Sequence, residues 1–312
     1  MLRQRTLRER VTCTGIGLHS GRPIHVEILP AAVDSGITFV RSDLPGHCEI
    51  KACADNLADT TLATTLAAGV NGTRASVATV EHALAALTGL GVDNARVLVD
   101  GPEMPALDGS AAGFVDMLQR AGLLAQRAAK RFIAIKREVC VKDGLKSALV
   151  RPSPELRIDC TVDFDHPLIP PTPYRFQYCE RAFVRDISRA RTFGFLRDAE
   201  SLQARGLARG VSLDNTVVID QYRVLNPDGL RYPDEFVRHK VLDAMGDLSL
   251  LGLPLVGLVE LHRSGHALNT RLARAVLSDA RNYAIVAASA ADPIQESVIQ
   301  PMAFFEQVES VA

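Results

Sequence analysis

Two short stretches combine residue types that can hold a metal and use it. Val80-Glu81-His82 puts a carboxylate beside an imidazole. Neighbouring helical residues project about 100° apart, so His82 as ligand and Glu81 as base can flank one metal site. Ala85 and Ala86 follow, so this helix offers no second ligand. In Arg238-His239-Lys240-Val241-Leu242-Asp243, His239 and Asp243 are four apart and share a helical face, and Asp247 continues it one turn later. Each signal alone has an ordinary explanation. Glu81–His82 would serve as a solvated polar edge, and His239–Asp243 as an i,i+4 surface pair worth about 0.2–0.5 kcal/mol. Together, His82, His239 and Asp243 supply two imidazoles and a carboxylate, a donor set that suits catalytic zinc with one position left open. Ser264-Gly265-His266 adds a histidine after a glycine turn. If a carboxylate orients it, with Asp247 the candidate, His266 can act as a general acid or as a cation beside an oxyanion.

Two further segments carry weaker signals. Ile187-Ser188-Arg189-Ala190-Arg191-Thr192-Phe193-Gly194-Phe195 gathers arginines, hydroxyls and rings around a glycine. That mixture suits an anionic or amphiphilic ligand, and equally a solvated helix-entry loop. Thr14–Gly21 superficially evokes a dinucleotide loop, but its third glycine comes one position late and no βαβ unit surrounds it.

The elements that must position these residues follow from periodicity. Ile24–Leu29 and Ile37–Val40 read as short strands, and Ser76–Thr88 as a helix with Val77, Val80, Leu84 and Leu87 at helical spacing. Ala95–Val99 reads as a strand and Ala111–Ala121 as a helix closed by Gly122. Leu124–Arg131 reads as a linker before a strand at Phe132–Val141. Strands at Ala148–Val150 and Ile158–Phe164, a helix over Asp198–Arg205, a long helix over Asp234–Leu251, a strand at Val256–His262 and a helix from about Asn269 complete the pattern. Ala83–Gly91 aligns with Ala244–Gly252, with His82 opposite Asp243, which suggests an internal duplication. The expected domains are 1–126 and 127–312.

Composition narrows the class. With 35 Lys+Arg against 36 Asp+Glu, the net charge of -1 argues against a broad nucleic-acid surface. The longest apolar run, Leu248–Val259, is broken by Gly252, Pro254 and Gly257, too soon to span a bilayer. Met1–Arg8 lacks the apolar core of a secretory signal. Six cysteines without a CxxC pair read as reduced thiols in a cytoplasmic protein.

Gly15–Gly21, Thr79–His82, Asp108–Ala112, Ile187–Phe195, Glu235–Lys240 and Ser264–Ala267, in that order, resemble the UDP-3-O-acyl-N-acetylglucosamine deacetylases. These are zinc amidases of lipid A biosynthesis in Gram-negative bacteria. The resemblance runs from about Arg5 to about residue 300. It implies an α+β fold of two similar domains, each a sheet with helices on one face, the helix layers packed together around the site. It implies His82, His239 and Asp243 as zinc ligands, Glu81 as general base and His266 as general acid with Asp247 behind it. Thr192 would help hold the oxyanion, with Lys240 a cation beside the metal. His19, Phe193 and Arg263 would lie near the UDP-sugar, and Leu18 and Phe195 along a channel for the acyl chain. The implied partner is this small-molecule substrate, bound by a monomer. Ala63 departs from the Cys or Ser of many relatives, which implies weaker inhibition by excess zinc. A non-catalytic UDP-sugar or lipid-binding module on the same scaffold is the competing reading, and a zinc hydrolase of another amide a third.

Overall fold

A computed structural model describes residues 2–70 and 73–288. Two five-stranded sheets dominate it and share one topology. In the first, the strands lie in the order Val11–Ile16, Pro23–Pro30, Ala95–Val99, Ile37–Arg41, Cys48–Lys51. In the second, the order is Val139–Asp143, Lys146–Arg151, Leu258–His262, Arg157–Val162, Thr172–Gln177. In both, the third and fourth strands are parallel and every other pairing is antiparallel. The duplication suggested by two helices therefore extends through both halves. The fold is α+β, as expected.

A parallel pair cannot be closed by a tight turn; it needs a crossover. In the first half the crossover from Ile37–Arg41 to Ala95–Val99 carries helix α1 (Glu81–Gly89). After Ala95–Val99 comes α2 (Ala112–Ala121). In the second half the equivalent crossover carries α3 (Glu235–Leu248), and α4 (His266–Leu277) follows the last sheet strand. The candidate metal residues thus ride on the two equivalent crossover helices. Alternation puts Ile24, Val26 and Ile28 of one sheet, and Ile158, Cys160 and Val162 of the other, on the core face.

Helices α1 and α3 are buried nearly all round, which requires small residues where backbones meet. A Cβ added at Gly246 would fall 2.1 Å from the Glu81 carbonyl oxygen, so α3 touches α1 at the residue that begins it. We expect Gly246→Ala to cost at least the roughly 1–3 kcal/mol typical of overpacking. Because the obstacle is backbone, the melting temperature should fall; an unchanged value would contradict this contact.

Several expected boundaries shift. Thr73–Val77 is a strand paired with Thr65–Val70, and Thr79 has φ +56°, so the helix expected from Ser76 starts only at Glu81. The supposed linker Leu124–Arg131 is mostly strand: Leu123–Ala129 pairs with Arg3–Leu7. Arg131–Ile135 then pairs with Tyr283–Ala287, and residues 126/127, the expected boundary, lie within the strand Leu123–Ala129. The expected strand Phe132–Val141 is broken into Arg131–Ile135 and Val139–Asp143. The last helix begins at His266 rather than near Asn269, because extended Gly265 caps it. Residues 289–312 of the expected second domain, and the end of the resemblance near residue 300, lie outside the described residues. All six cysteines are free thiols. No helix among the described residues is long and apolar enough to cross a membrane.

Candidate metal centre and active site

The first turns of α1 and the middle of α3 bring His82, His239 and Asp243 together, with all three potential ligand atoms within 4.8 Å of one another. Asp243 Oδ1 lies 3.2 Å from His239 Nε2 and 3.7 Å from His82 Nε2. Zinc–ligand bonds of about 2.0–2.1 Å in a tetrahedron separate ligand atoms by roughly 3.4 Å. The other carboxylate oxygen, Oδ2, accepts from Lys240 Nζ at 2.6 Å, whereas buried Oδ1 has no hydrogen-bond partner among the described residues. An orphaned buried anionic oxygen between two ring nitrogens is what a missing cation leaves behind. His239 Nδ1 donates to the Ala190 carbonyl at 3.0 Å, which leaves the Nε2 lone pair facing the cluster. Burial pushes the His239 pKa down to about 3, so the ring is neutral and able to ligate. Burial opposes ionisation of Asp243, but His239, Lys240 and His266 outweigh it and hold its carboxyl well below the ordinary range. These residues fit a divalent cation.

A proton-transfer pair adjoins them. Glu81, 3% exposed, anchors Oε2 on the Thr64 backbone N–H at 2.9 Å and turns Oε1 towards His266 Nε2, 3.8 Å away. Burial raises the Glu81 pKa above its ordinary value, against the pull of His266 and His82. Behind His266, Asp247 Oδ2 lies 3.0 Å from Nδ1. Asp247 itself accepts from Thr64 Oγ1 at 2.5 Å and Asn269 Nδ2 at 2.9 Å. Burial would lower the His266 pKa, yet the Asp247, Glu81 and Asp243 carboxylates raise it to about 10. His266 is therefore a cation at neutral pH, even though it opens a helix, where the dipole disfavours positive charge. Burial likewise opposes the charge on Lys240, and Asp243 outweighs it and raises its pKa.

Comparison with known proteins now decides the family. Residues 4–278 match the family model described as UDP-3-O-acyl N-acetylglycosamine deacetylase. Proteins named UDP-3-O-acyl-N-acetylglucosamine deacetylase are similar along nearly the whole chain. One from Anaeromyxobacter sp. (strain Fw109-5) is 53% identical, covering 91% of each chain. One from Myxococcus xanthus (strain DK1622) is 51% identical, covering 91% of this chain and 90% of the relative. One from Shewanella loihica is 48% identical, over 96% and 98%.

The chain belongs to this deacetylase family.

In this deacetylase some of the expected substrate-side residues adjoin the His82–His239–Asp243 group and others lie elsewhere. The Phe193 ring centroid is 6.2 Å from that of His239 and 5.0 Å from that of Phe236, with Lys240 Nζ 5.5 Å over its face. Phe164 packs edge-on against both Phe193 and Phe195, so the two expected rings belong to one aromatic group. Thr192 is fixed through its backbone, donating to the Gly109 carbonyl at 2.7 Å and accepting from Val217. Arg263 pairs with Asp163 at 3.3 Å, next to Phe164, and joins His82, His239 and Asp243 through no hydrogen bond or ion pair among the described residues. Leu18 is buried, its carbonyl accepting from Gly210. His19 takes an N–H from Ala208 on Nδ1, and burial lowers its pKa.

Sequence reasoning missed the residues that hold these groups in place. Thr64 ties Glu81 to Asp247, and Asn269 completes the Asp247 carboxylate. Buried Glu103 accepts the His19 and Ser20 backbone N–H groups, at 2.7 and 2.8 Å. Arg191, in a segment read as suiting either an anionic ligand or a solvated helix-entry loop, is instead buried against Glu235. A separate cavity of about 470 Å³, bordered by Leu84, Thr88, Met245 and Leu248, opens beyond the far ends of α1 and α3 and contains none of the site residues.

Proposed function

We propose that this deacetylase hydrolyses the acetamide of UDP-3-O-acyl-N-acetylglucosamine to the free amine and acetate, as a zinc-dependent cytoplasmic step of lipid A biosynthesis. The observation that carries the reading is the orphaned Asp243 Oδ1 between His82 and His239, with an oriented carboxylate–imidazole pair beside it. When bound by His82, His239 and Asp243, Zn²⁺ supplies Lewis-acid polarisation of the amide carbonyl and acidifies water. Glu81 Oε1, free of the Thr64 anchor, takes the proton of the attacking water. Protonated His266 stabilises the developing oxyanion, with Thr192 and Lys240 beside it. His266 Nε2 then gives its proton to the departing nitrogen while Asp247 holds Nδ1. Phe193, Phe195 and Leu18 offer apolar surface to the acyl chain, and His19 and Arg263 polar groups to the UDP-sugar. We also infer two domains meeting at Lys130, since each half closes on its own terminal strand pair.

The decisive experiment measures acetate release from the acylated UDP-sugar, with zinc content, before and after chelation. One zinc per chain with chelator-reversible release supports the reading. Binding of substrate without release would favour a binding module instead.

Activity should follow a bell-shaped pH profile. Glu81 must be deprotonated, so the acid limb rises at a pH above the ordinary carboxylate range. His266 must be protonated, so activity falls as pH climbs towards about 10. A bound dication pulls both limbs lower. Asp247 is the largest influence raising His266, so Asp247→Asn should move the alkaline limb of kcat/KM to lower pH. An unmoved alkaline limb would remove His266 from the acid role.

A further inference from the structure

One peptide plane beside the site is held on both edges by a single helix. The carbonyl of Ala190 accepts from His239 Nδ1 at 3.0 Å, and the N–H of Arg191, in the same trans peptide unit, donates to Glu235 Oε1 at 2.9 Å. Glu235 and His239 are four apart on α3, so one helical turn grips the Ala190–Arg191 peptide from both sides. The Glu235 carboxylate is fully occupied. Oε1 also accepts from Arg191 Nε at 2.9 Å, and Oε2 accepts from Arg191 Nη2 at 3.1 Å and the Arg231 backbone N–H at 2.6 Å. Glu235 is 0% exposed, and the bidentate Arg191 guanidinium is its buried counter-charge. Arg191 Nη2 is further fixed on the Gly229 carbonyl at 2.7 Å.

This arrangement has a direct consequence for the ligand imidazole. A carbonyl can only accept, so the orientation of the peptide plane dictates that His239 carries its proton on Nδ1 and offers Nε2 inward. If the plane tilts, the imidazole can turn or change tautomer. Such outer partners of ligating histidines govern metal affinity. The same plane leads directly into Thr192 and Phe193, so its tilt would also carry the hydroxyl and the ring.

We propose that Glu235 is a positioning residue for the metal site, acting through the Ala190–Arg191 peptide plane, with the Arg191 guanidinium holding its carboxylate in place. The proposal rests on the reading that His239 ligates zinc, and wild-type zinc stoichiometry tests that reading separately. In Glu235→Gln the new NH₂ would face donors on Arg191 and Arg231, so the clamp cannot persist unchanged. Zinc affinity of the full chain, measured by chelator competition, should fall by about 10–100-fold. Nitrogen shifts of the His239 ring in metal-free protein should report loss of the single Nδ1–H tautomer. Arg191→Ala should show the same weakening, and added guanidinium should restore zinc affinity by refilling the vacated site. Leu118→Ala in α2, which carries none of the site residues, should lower thermal stability and leave zinc affinity unchanged. Wild-type zinc affinity in Glu235→Gln, or a loss in Arg191→Ala that guanidinium does not relieve, would overturn the proposal. Should Glu235→Gln fail to fold, Arg191→Ala and its rescue decide the question alone. A wild-type chain that binds no zinc would instead bring down the underlying reading.

Discussion

Glu81→Gln should lower kcat by about 10²–10⁴-fold, the range usual for loss of a general acid or base, while the chain keeps one zinc and its fold. The substitution is nearly isosteric, and its amide oxygen can still accept the Thr64 N–H that anchors Glu81 Oε2. What disappears is the ability of the other oxygen, facing His266, to take a proton. Neighbouring His82 is untouched, so metal binding and proton transfer are separated by one residue. The measurement pairs single-turnover acetate release with zinc content. Turnover near that of wild type would refute Glu81 as base, and loss of zinc would show that Glu81 instead supports the metal.

Removing the metal should have the other large effect. Chelation should abolish acetate release, and one equivalent of zinc should restore it. Asp243→Asn should weaken zinc binding by more than the roughly 10–100-fold typical of outer partners, because it neutralises a proposed direct ligand. It also removes the anion that Lys240 pairs with at 2.6 Å, leaving a partly buried ammonium without its counter-charge. Titrating zinc beyond one equivalent tests the departure at Ala63. This buried methyl directly precedes Thr64, the residue that anchors Glu81, and brings no thiol to the site. Little further inhibition is expected; a steep fall at slight excess would count against it.

The grouping of the candidate residues was partly legible from local pattern. His239, Asp243 and Asp247 fall on one face because a helix repeats every 3.6 residues, and that spacing survives in α3. The repeat shared by Ala83–Gly91 and Ala244–Gly252 was legible too. Its two glycines, Gly91 and Gly252, both take positive φ, 69° and 83°, where each helix stops. Element edges were less legible. Val77 and Val80 fit a helical period, yet Val77 belongs to a strand, because pairing with Thr65–Val70 prevails over local preference.

The residues that hold the site left no such trace. Thr64, Asn269 and Glu103 are common polar types without diagnostic spacing, and each matters through one contact across the fold. Arg191 could be read as facing an anion or solvent, because sequence records its charge but not its burial against Glu235. The sequence by itself determined the donor types, their helical spacing, the α+β pattern and the family. Only the tertiary structure decided that His82 meets His239 and Asp243, that Glu81 faces His266, and that Glu235 grips the peptide next to Thr192. Helical periodicity is a local property of the backbone. The meeting of two crossover helices depends on how both sheets pack, which is set by contacts between residues far apart in the chain.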